Sequence, residues 1–406
     1  MRPKSFMLIA GEASGDLLAA ELVQALRQEL TEAEAVPTPD CQPLRASLEP
    51  RFFGAGGPRL AAAGVELAFD LTAHSVIGLS DALRNLFKFR RLFGRLFRLA
   101  LGRQPDAVIC VDFSGFNRRF AHALRKYVRS HSDWFHDWHP KLIQYVSPQV
   151  WASREGRAGQ MARDYDLLLS IIPFERAWFA ERVPEFRVEF VGHPMVDRYR
   201  HARAAAAPAS LRQPPSCPTV VLLPGSRPGE LRRHLPVVLE TARRIAAESP
   251  ASFRLVLPNA ALANYAQPFL TQAPRLQVQV GGLAEALGQA DLAVTKSGTI
   301  TLECAFFGVP AVVFYKTSLA SYLAAKRMVK VNYLAMPNLL AGEPLFPEFV
   351  QGAATAENLA RAALELLRDE ARRAKIKARL SEIIATLGPA GASRRAARAI
   401  VQEMIE

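Results

Sequence analysis

The run AVICV at 107–111 reads as a strand and delivers Asp112 at its carboxyl end. A carboxylate so placed can act as general base toward a hydroxyl, a contribution of about 10²–10⁴ in rate; capping the next loop is its alternative role. Two turns in the second half point to a different chemistry. VVLLPGSRPGE sets Gly225-Ser226-Arg227 directly after an apolar run, and DLAVTKSGTITLEC sets Ser297-Gly298-Thr299 after another, with Glu303 about one helical turn beyond Thr299. Glycine lets the backbone close on a cluster of oxygens, arginine makes charge-assisted bonds to phosphate, and hydroxyls with free N–H groups at a helix start suit a pyrophosphate. The Glu303 carboxylate suits a ribose diol. Each turn alone could be a plain strand-to-helix connection, with Arg227 solvated and Glu303 on the surface; two in one half favour a nucleoside diphosphate. The first-half turn AGEASGD differs, because Glu12 and Asp16 flank Ser14 and would repel a phosphate. These acids would instead accept hydrogen bonds from sugar hydroxyls or amides, order neighbouring loops, or, for Asp16, cap a helix.

These residues need a scaffold that brings strand ends together. FMLIA, RFFGAGG, DAVICVDF, KLIQYVSP, DLLLSIIP and FRVEFVGHP alternate with helical stretches in the first half, and TVVLLPGSR, FRLVLPN, LQVQVGG, DLAVTKSG and VPAVVFYK do so in the second. The pattern predicts an α/β protein with two doubly wound parallel sheets in series, facing across a cleft lined by strand-end loops. The expected division is an N-terminal domain over 1–205, a C-terminal domain over 206–385 and a final helix over 386–406. Residues 31–50 read as a surface insertion and 200–218 as the link between domains.

The 406 residues are 50% hydrophobic, enough for two cores, and carry a net charge of +13, which favours an anionic partner. Cys41, Cys110, Cys217 and Cys304 form no CxxC pair and fit a reducing cytosol. No apolar run is long enough to span a membrane, so a cytoplasmic protein is expected. Residues 82–105 hold seven basic residues, Arg84, Lys88, Arg90, Arg91, Arg95, Arg98 and Arg103, and no acid. Leu83, Leu86, Phe87, Phe93, Leu96, Phe97 and Ala100 recur at helical spacing beside them. This describes either a basic amphipathic helix lying on an anionic membrane or a core-facing helix with a charged outer face. Asp164-Tyr165-Asp166 matches a DxD metal pattern and His131, His136 and His139 cluster in sequence, but neither offers a convincing ligand set, so no metal is expected. GAGGPRL (54–60) has the wrong glycine spacing for a dinucleotide fingerprint.

The stretches AGEASGD, GAGGPRL, YVSPQVWASR (145–154), FVGHPMVD (190–197), LLPGSR, SGTITLEC and MPNLLAGEPLFPEFVQ (336–351) together resemble the lipid-A-disaccharide synthase family of inverting, GT-B-fold glycosyltransferases. The resemblance implies transfer of a sugar from UDP-2,3-diacylglucosamine to the 6-hydroxyl of 2,3-diacylglucosamine 1-phosphate (lipid X), giving a β-1,6-linked disaccharide and UDP. It implies no cofactor or metal, and a homodimer whose partner's C-terminal region contributes to each nucleotide site. It also implies peripheral association with the inner membrane, with Lys88, Arg90, Arg91, Arg95 and Arg98 touching lipid. By the same resemblance Asp112 is the catalytic base, and Glu12, Ser14 and Asp16 form the acceptor-side loop. Arg227, Ser297, Gly298, Thr299, Glu303, Asn338 and Gln351 fall on the UDP side. The chain departs from the family pattern at Asp81, Ser114, Gly115 and Ser153, mostly on the acceptor side, which admits a divergent paralogue with another acceptor. A UDP-sugar epimerase would share the two-domain architecture but need no lipid surface. A nucleic-acid-binding protein would need a reading motif that the chain lacks, so no nucleic acid is expected.

Overall fold

The six apolar runs of the first half, with one further edge strand, form the seven strands of a parallel sheet in the computed structural model, which describes residues 3–34, 49–74, 82–132, 137–205, 217–270 and 276–405. These are β1 (Ser5–Ala10), β2 (Arg51–Gly56), β3 (Glu66–Asp70), β4 (Ala107–Val111), β5 (Lys141–Tyr145), β6 (Leu167–Ser170) and β7 (Arg187–Phe190), in the order β3-β2-β1-β4-β5-β6-β7. The crossovers carry α1 (Ala13–Glu34), α2 (Pro58–Ala62), α3 (Ala82–Arg103), α4 (Ser114–His131), α5 (Val150–Ser153), α6 (Ala158–Asp164) and α7 (Glu175–Arg182), and α8 (Met195–Ala205) follows β7. Residues 6–10 and 107–111 are buried along their whole length, which is why these central strands read as continuous apolar runs rather than alternating ones.

The second half builds β8 (Thr219–Leu223), β9 (Ser252–Leu257), β10 (Leu276–Val280), β11 (Leu292–Lys296), β12 (Ala311–Tyr315) and β13 (Glu348–Val350), in the order β10-β9-β8-β11-β12-β13. Its helices are α9 (Pro228–Glu248), α10 (Ala260–Ala266), α11 (Leu283–Gly288), α12 (Ile300–Phe306), α13 (Leu319–Met328), α14 (Met336–Ala341), α15 (Ala356–Arg368) and α16 (Glu370–Thr386), and α17 (Ala392–Glu403) closes the chain. Both sheets have the doubly wound, Rossmann-like arrangement that the alternation of apolar runs and helical stretches predicts.

Contacts divide the chain into Met1–Asp197 with Gly388–Glu406, and Arg198–Leu387. This differs from the expected division. The first break falls inside α8, and the final helix is part of the first unit. The cause is local: the Asp197 carboxylate caps α17, accepting from Gly391 N at 2.5 Å and Ala392 N at 2.9 Å. Arg394 pairs with Glu29 and Glu32 of α1, and Glu403 pairs with Lys141 and Arg187. Residues 35–48, most of the expected insertion, and 206–216, most of the expected link, lie outside the described residues, as do Cys41, Asp81 and His136.

The membrane-facing expectation for the apolar stripe of α3 is corrected. Leu96 and Ala100 are buried in the first unit's core, and Phe93 packs edge-on against Phe116 at 5.5 Å and Phe120 at 5.6 Å. Phe97 meets Tyr127 at 5.9 Å. From Phe93 to Ala100 the stripe therefore packs on α4 and the core rather than lipid, because a hydrophobic core competes for the same face that a bilayer would take. Lys88, Arg90, Arg91, Arg95 and Arg98 form the exposed face, with Phe87 80% exposed. The side chains of residues 82–86, Arg84 among them, lie outside the described residues. Among the described residues no helix is long and apolar enough to cross a membrane.

Candidate functional site

Asp112 follows β4 with a φ of 49°, and Phe113 continues at 43°. Two consecutive left-handed non-glycine residues cost on the order of 1–3 kcal/mol each and persist only where the surroundings hold them. Two buried carboxamides do so. Asn117 Nδ2 is shared among Asp112 O at 2.9 Å, Val111 O at 3.2 Å and Ile9 O at 3.3 Å. Gln144 Nε2 reaches Val146 O at 3.0 Å, Tyr145 O at 3.2 Å and Asp112 O at 3.3 Å. Val146, past the end of β5, is also left-handed, with φ 68°. The ends of β4 and β5 are thus unwound together and tied by amide groups.

The AGEASGD turn lies against this loop because its glycines leave room. A Cβ on Gly11 would fall 2.2 Å from the Phe113 ring, and one on Gly15 would fall 3.3 Å from Val111 O and 3.5 Å from Asp112 Cβ. Ser14 Oγ reaches Asp112 Oδ2 at 3.5 Å, with Ser14 exposed and Glu12 partly exposed beside it. Asp16 is different: it is 2% exposed, and its oxygens accept from Gly57 N at 2.6 Å, Arg59 N at 3.0 Å and Leu60 N at 3.2 Å. It accepts from backbone amides, caps the start of α2 and orders the GAGGPRL loop, so the geometry supplies these of its expected roles.

Glu175 fixes the YVSPQVW stretch from beneath. Its carboxylate accepts from Trp151 Nε1 at 2.8 Å and Ser170 Oγ at 2.5 Å. Burial pushes its pKa up to about 7, against hydrogen bonds from Ser170, Trp151, Ser147 and the Ile172 backbone that pull it down. Because the folded pKa lies above the ordinary 4.5, the folded chain keeps a proton that the unfolded chain has released. Stability therefore falls as pH rises between about 4.5 and 7 and is level above, by of order 3 kcal/mol. Urea unfolding from pH 5 to 8 is expected to show this fall, and Glu175→Gln to flatten it; an equally steep variant profile would contradict the assignment.

In the second unit β8 and β11 are neighbours, so the two glycine turns emerge side by side. Gly225 and Gly298 both have φ 135°. A residue that sequence reasoning missed links the turns: Glu230, in the first turn of α9, accepts from Ser226 N at 3.0 Å and from Lys296 Nζ at 2.9 Å. A Cβ on Gly225 would lie 2.9 Å from Glu230 Cβ at a φ that side chains rarely adopt, which together require glycine there. Burial works to raise the Glu230 pKa, and Lys296 with the Ser226 N–H outweighs it and holds the carboxyl below its usual range. An acid in the first turn after a glycine loop was the available signal. His234, fully buried, ties the end of β8 to that of β12 through Pro224 O at 2.6 Å and Lys316 O at 3.0 Å.

Arg227 and Thr299 are exposed at these turns, and Ser297 Oγ donates to Leu334 O at 3.0 Å. Burial raises the Glu303 carboxyl, against the pull of Arg198 and of the Tyr199 hydroxyl. Asn338 is fully buried: it accepts from Phe346 N at 2.8 Å and donates to Phe346 O at 2.8 Å and Glu348 Oε1 at 2.7 Å. Gln351, at φ 52°, accepts from Thr317 N at 2.8 Å and donates to Thr317 O at 3.1 Å. Both carboxamides shape loops, and their polar atoms engage the protein itself.

The DxD-like carboxylates are likewise engaged internally: Asp164 with His122 at 3.1 Å, and Asp166 with Arg125 at 2.5 Å and Leu142 N at 2.7 Å. His131 stacks on Tyr127, and His139 lies 3.2 Å from Ser132 Oγ. Among the described residues no three His, Cys, Asp or Glu side chains gather as metal ligands.

The family model described as lipid-A-disaccharide synthetase matches residues 6–403. A lipid-A-disaccharide synthase of Anaeromyxobacter sp. (strain K) is 37% identical over 402 residues, covering 98% of this chain and 97% of the relative. Among solved structures, CalG4, the calicheamicin glycosyltransferase, superposes with a TM-score of 0.57 at 15% identity, covering 100% of this chain and 99% of that one. A UDP-GlcNAc 2-epimerase from Neisseria meningitidis bound to UDP-GlcNAc superposes at 0.52 with 11% identity, over 100% of both chains. Likeness at this level shows the fold alone, here one on which a transferase and an epimerase are both built.

Proposed function

The chain belongs to the lipid-A-disaccharide synthetase family, and from that membership we propose that it transfers a 2,3-diacylglucosaminyl group from its UDP derivative to the 6-hydroxyl of lipid X. The acceptor oxygen attacks the anomeric carbon, the bond from that carbon to the diphosphate breaks, UDP leaves, and the hydroxyl proton passes to Asp112. Inversion gives the β-1,6-linked disaccharide. What carries this reading is the end-to-end sequence match, which also sets the epimerase alternative aside. In support, Asp112 stands on a braced, left-handed turn with Ser14 beside it, as a base that must be held in one orientation requires. The adjacent Gly225 and Gly298 turns, with Arg227, Ser297, Thr299 and Glu303, are suited to the diphosphate and ribose of UDP. Purified protein given both lipids is expected to form disaccharide and UDP in equal amounts; UDP without disaccharide would overturn the acceptor assignment.

The protein in this reading is a homodimer that meets the anionic inner-membrane surface from the cytoplasmic side. The basic face of α3, with Phe87 at its outer end, supports that contact. Each basic residue near such a surface contributes about 1 kcal/mol. Converting Arg90, Arg91 and Arg95 to glutamate is therefore expected to weaken binding to phosphatidylglycerol vesicles about a hundredfold or more. Unaltered vesicle binding would remove α3 from the interface.

A further inference from the structure

A lysine in the second unit stands between the two glycine turns. Lys296 is the last residue of β11 and immediately precedes the Ser297-Gly298-Thr299 turn. Its ammonium donates to Glu230 Oε1 at 2.9 Å, while Glu230 Oε2 accepts from Ser226 N at 3.0 Å. A Cβ on Gly298 would lie 3.7 Å from Lys296 Nζ and 3.8 Å from its Cε, so the ammonium is within contact distance of that turn. The ion pair is therefore laid across the turns with unlike ends: the carboxylate is bonded to the Gly225 turn and the ammonium lies against the Gly298 turn.

Two properties fit this ammonium for more than balancing Glu230. Glu230 Oε1 is its one hydrogen-bond partner among the described residues, which leaves two of the three ammonium N–H donors for another acceptor. The Lys296 side chain is also 20% exposed, sheltered enough to be held in place and open enough to meet a ligand. Partial burial strengthens its attraction for a phosphate over that of a fully solvated lysine, because the effective dielectric is lower than in water.

We propose that Lys296 is a ligand of the donor's diphosphate, holding it at the Gly298 turn while Glu230 holds the ammonium. When the bond from the anomeric carbon to the diphosphate breaks, its electron pair passes to the diphosphate oxygen, and the ammonium stabilises the charge that gathers there. The assignment rests on the transferase reading for the identity of the nucleotide, and on the ion-pair geometry for the side chain that meets its phosphates.

Calorimetric titration with UDP, uridine and inorganic pyrophosphate tests the contact without turnover. Lys296→Met is expected to weaken UDP and pyrophosphate binding about tenfold or more and to leave uridine binding within about twofold. That variant also strips Glu230 of its counter-charge, so the decisive comparison sets Lys296→Met/Glu230→Gln against Glu230→Gln alone, where no carboxylate needs balancing. The same loss of about tenfold or more is expected there, and the pair serves equally if Lys296→Met alone does not fold. UDP binding equal in the two would reduce Lys296 to a counter-ion for Glu230 and overturn the proposal. An equal loss of uridine binding would also overturn it, since that marks a collapsed site rather than a lost phosphate contact. In the transfer assay kcat should likewise fall below that of Glu230→Gln, and an equal kcat would remove the contact with the leaving group. A wild type that binds pyrophosphate through Lys296 but not UDP would leave the ligand standing and remove the nucleotide reading instead; one that binds neither would overturn both.

Discussion

Replacing Asp112 by asparagine is expected to lower kcat about a hundredfold or more while the UDP dissociation constant stays within about twofold. Asparagine is the informative substitution because it tolerates the left-handed backbone that Asp112 occupies and removes only the ability to take a proton. Alanine at φ 49° should lose the same activity and, in addition, about 1 kcal/mol of stability. The loss should show in kcat with little change in acceptor KM, since a general base acts mainly in the transition state. A fully active Asp112→Asn protein would transfer the role of base to another group and reduce the braced turn to a loop support.

The second large effect is expected at Glu230. Its carboxylate joins the Ser226 backbone to Lys296 and so holds two glycine turns in register. Removing it leaves the mostly buried Lys296 ammonium without its carboxylate and frees the 225–227 turn. With both side chains about a fifth exposed, a loss of about 2 kcal/mol in UDP binding is expected for Glu230→Ala, roughly thirtyfold in dissociation constant. Glu230→Gln should lose less, because its amide oxygen still accepts from Ser226 N. Calorimetric titration with UDP distinguishes these outcomes, and an affinity unchanged in both variants would place the diphosphate elsewhere in the unit.

How far such sites can be read from sequence depends on whether local chemistry or packing decides them. The eleven apolar runs taken as strands all form strands, because a parallel sheet covered on both faces demands unbroken apolar stretches. The two strands not anticipated, β3 and β13, are edges: one is half-exposed and the other is three residues long. The glycine turns were legible because a backbone that must approach closely allows few residue types. α3 could be read two ways, since a basic amphipathic helix carries one pattern whether its apolar stripe meets lipid or α4. Asp16 and Asn338 show the other limit. Their polarity is visible in sequence, but the backbone groups that saturate them come from residues 57–60 and 346, brought near only by folding.

The most direct measurement is a crystal structure of the protein soaked with UDP. The account predicts the diphosphate at the Gly225 and Gly298 turns and the ribose at Glu303, with no part of the nucleotide on the Asp112 carboxylate. Uridine held among the AGEASGD and GAGGPRL loops would contradict it.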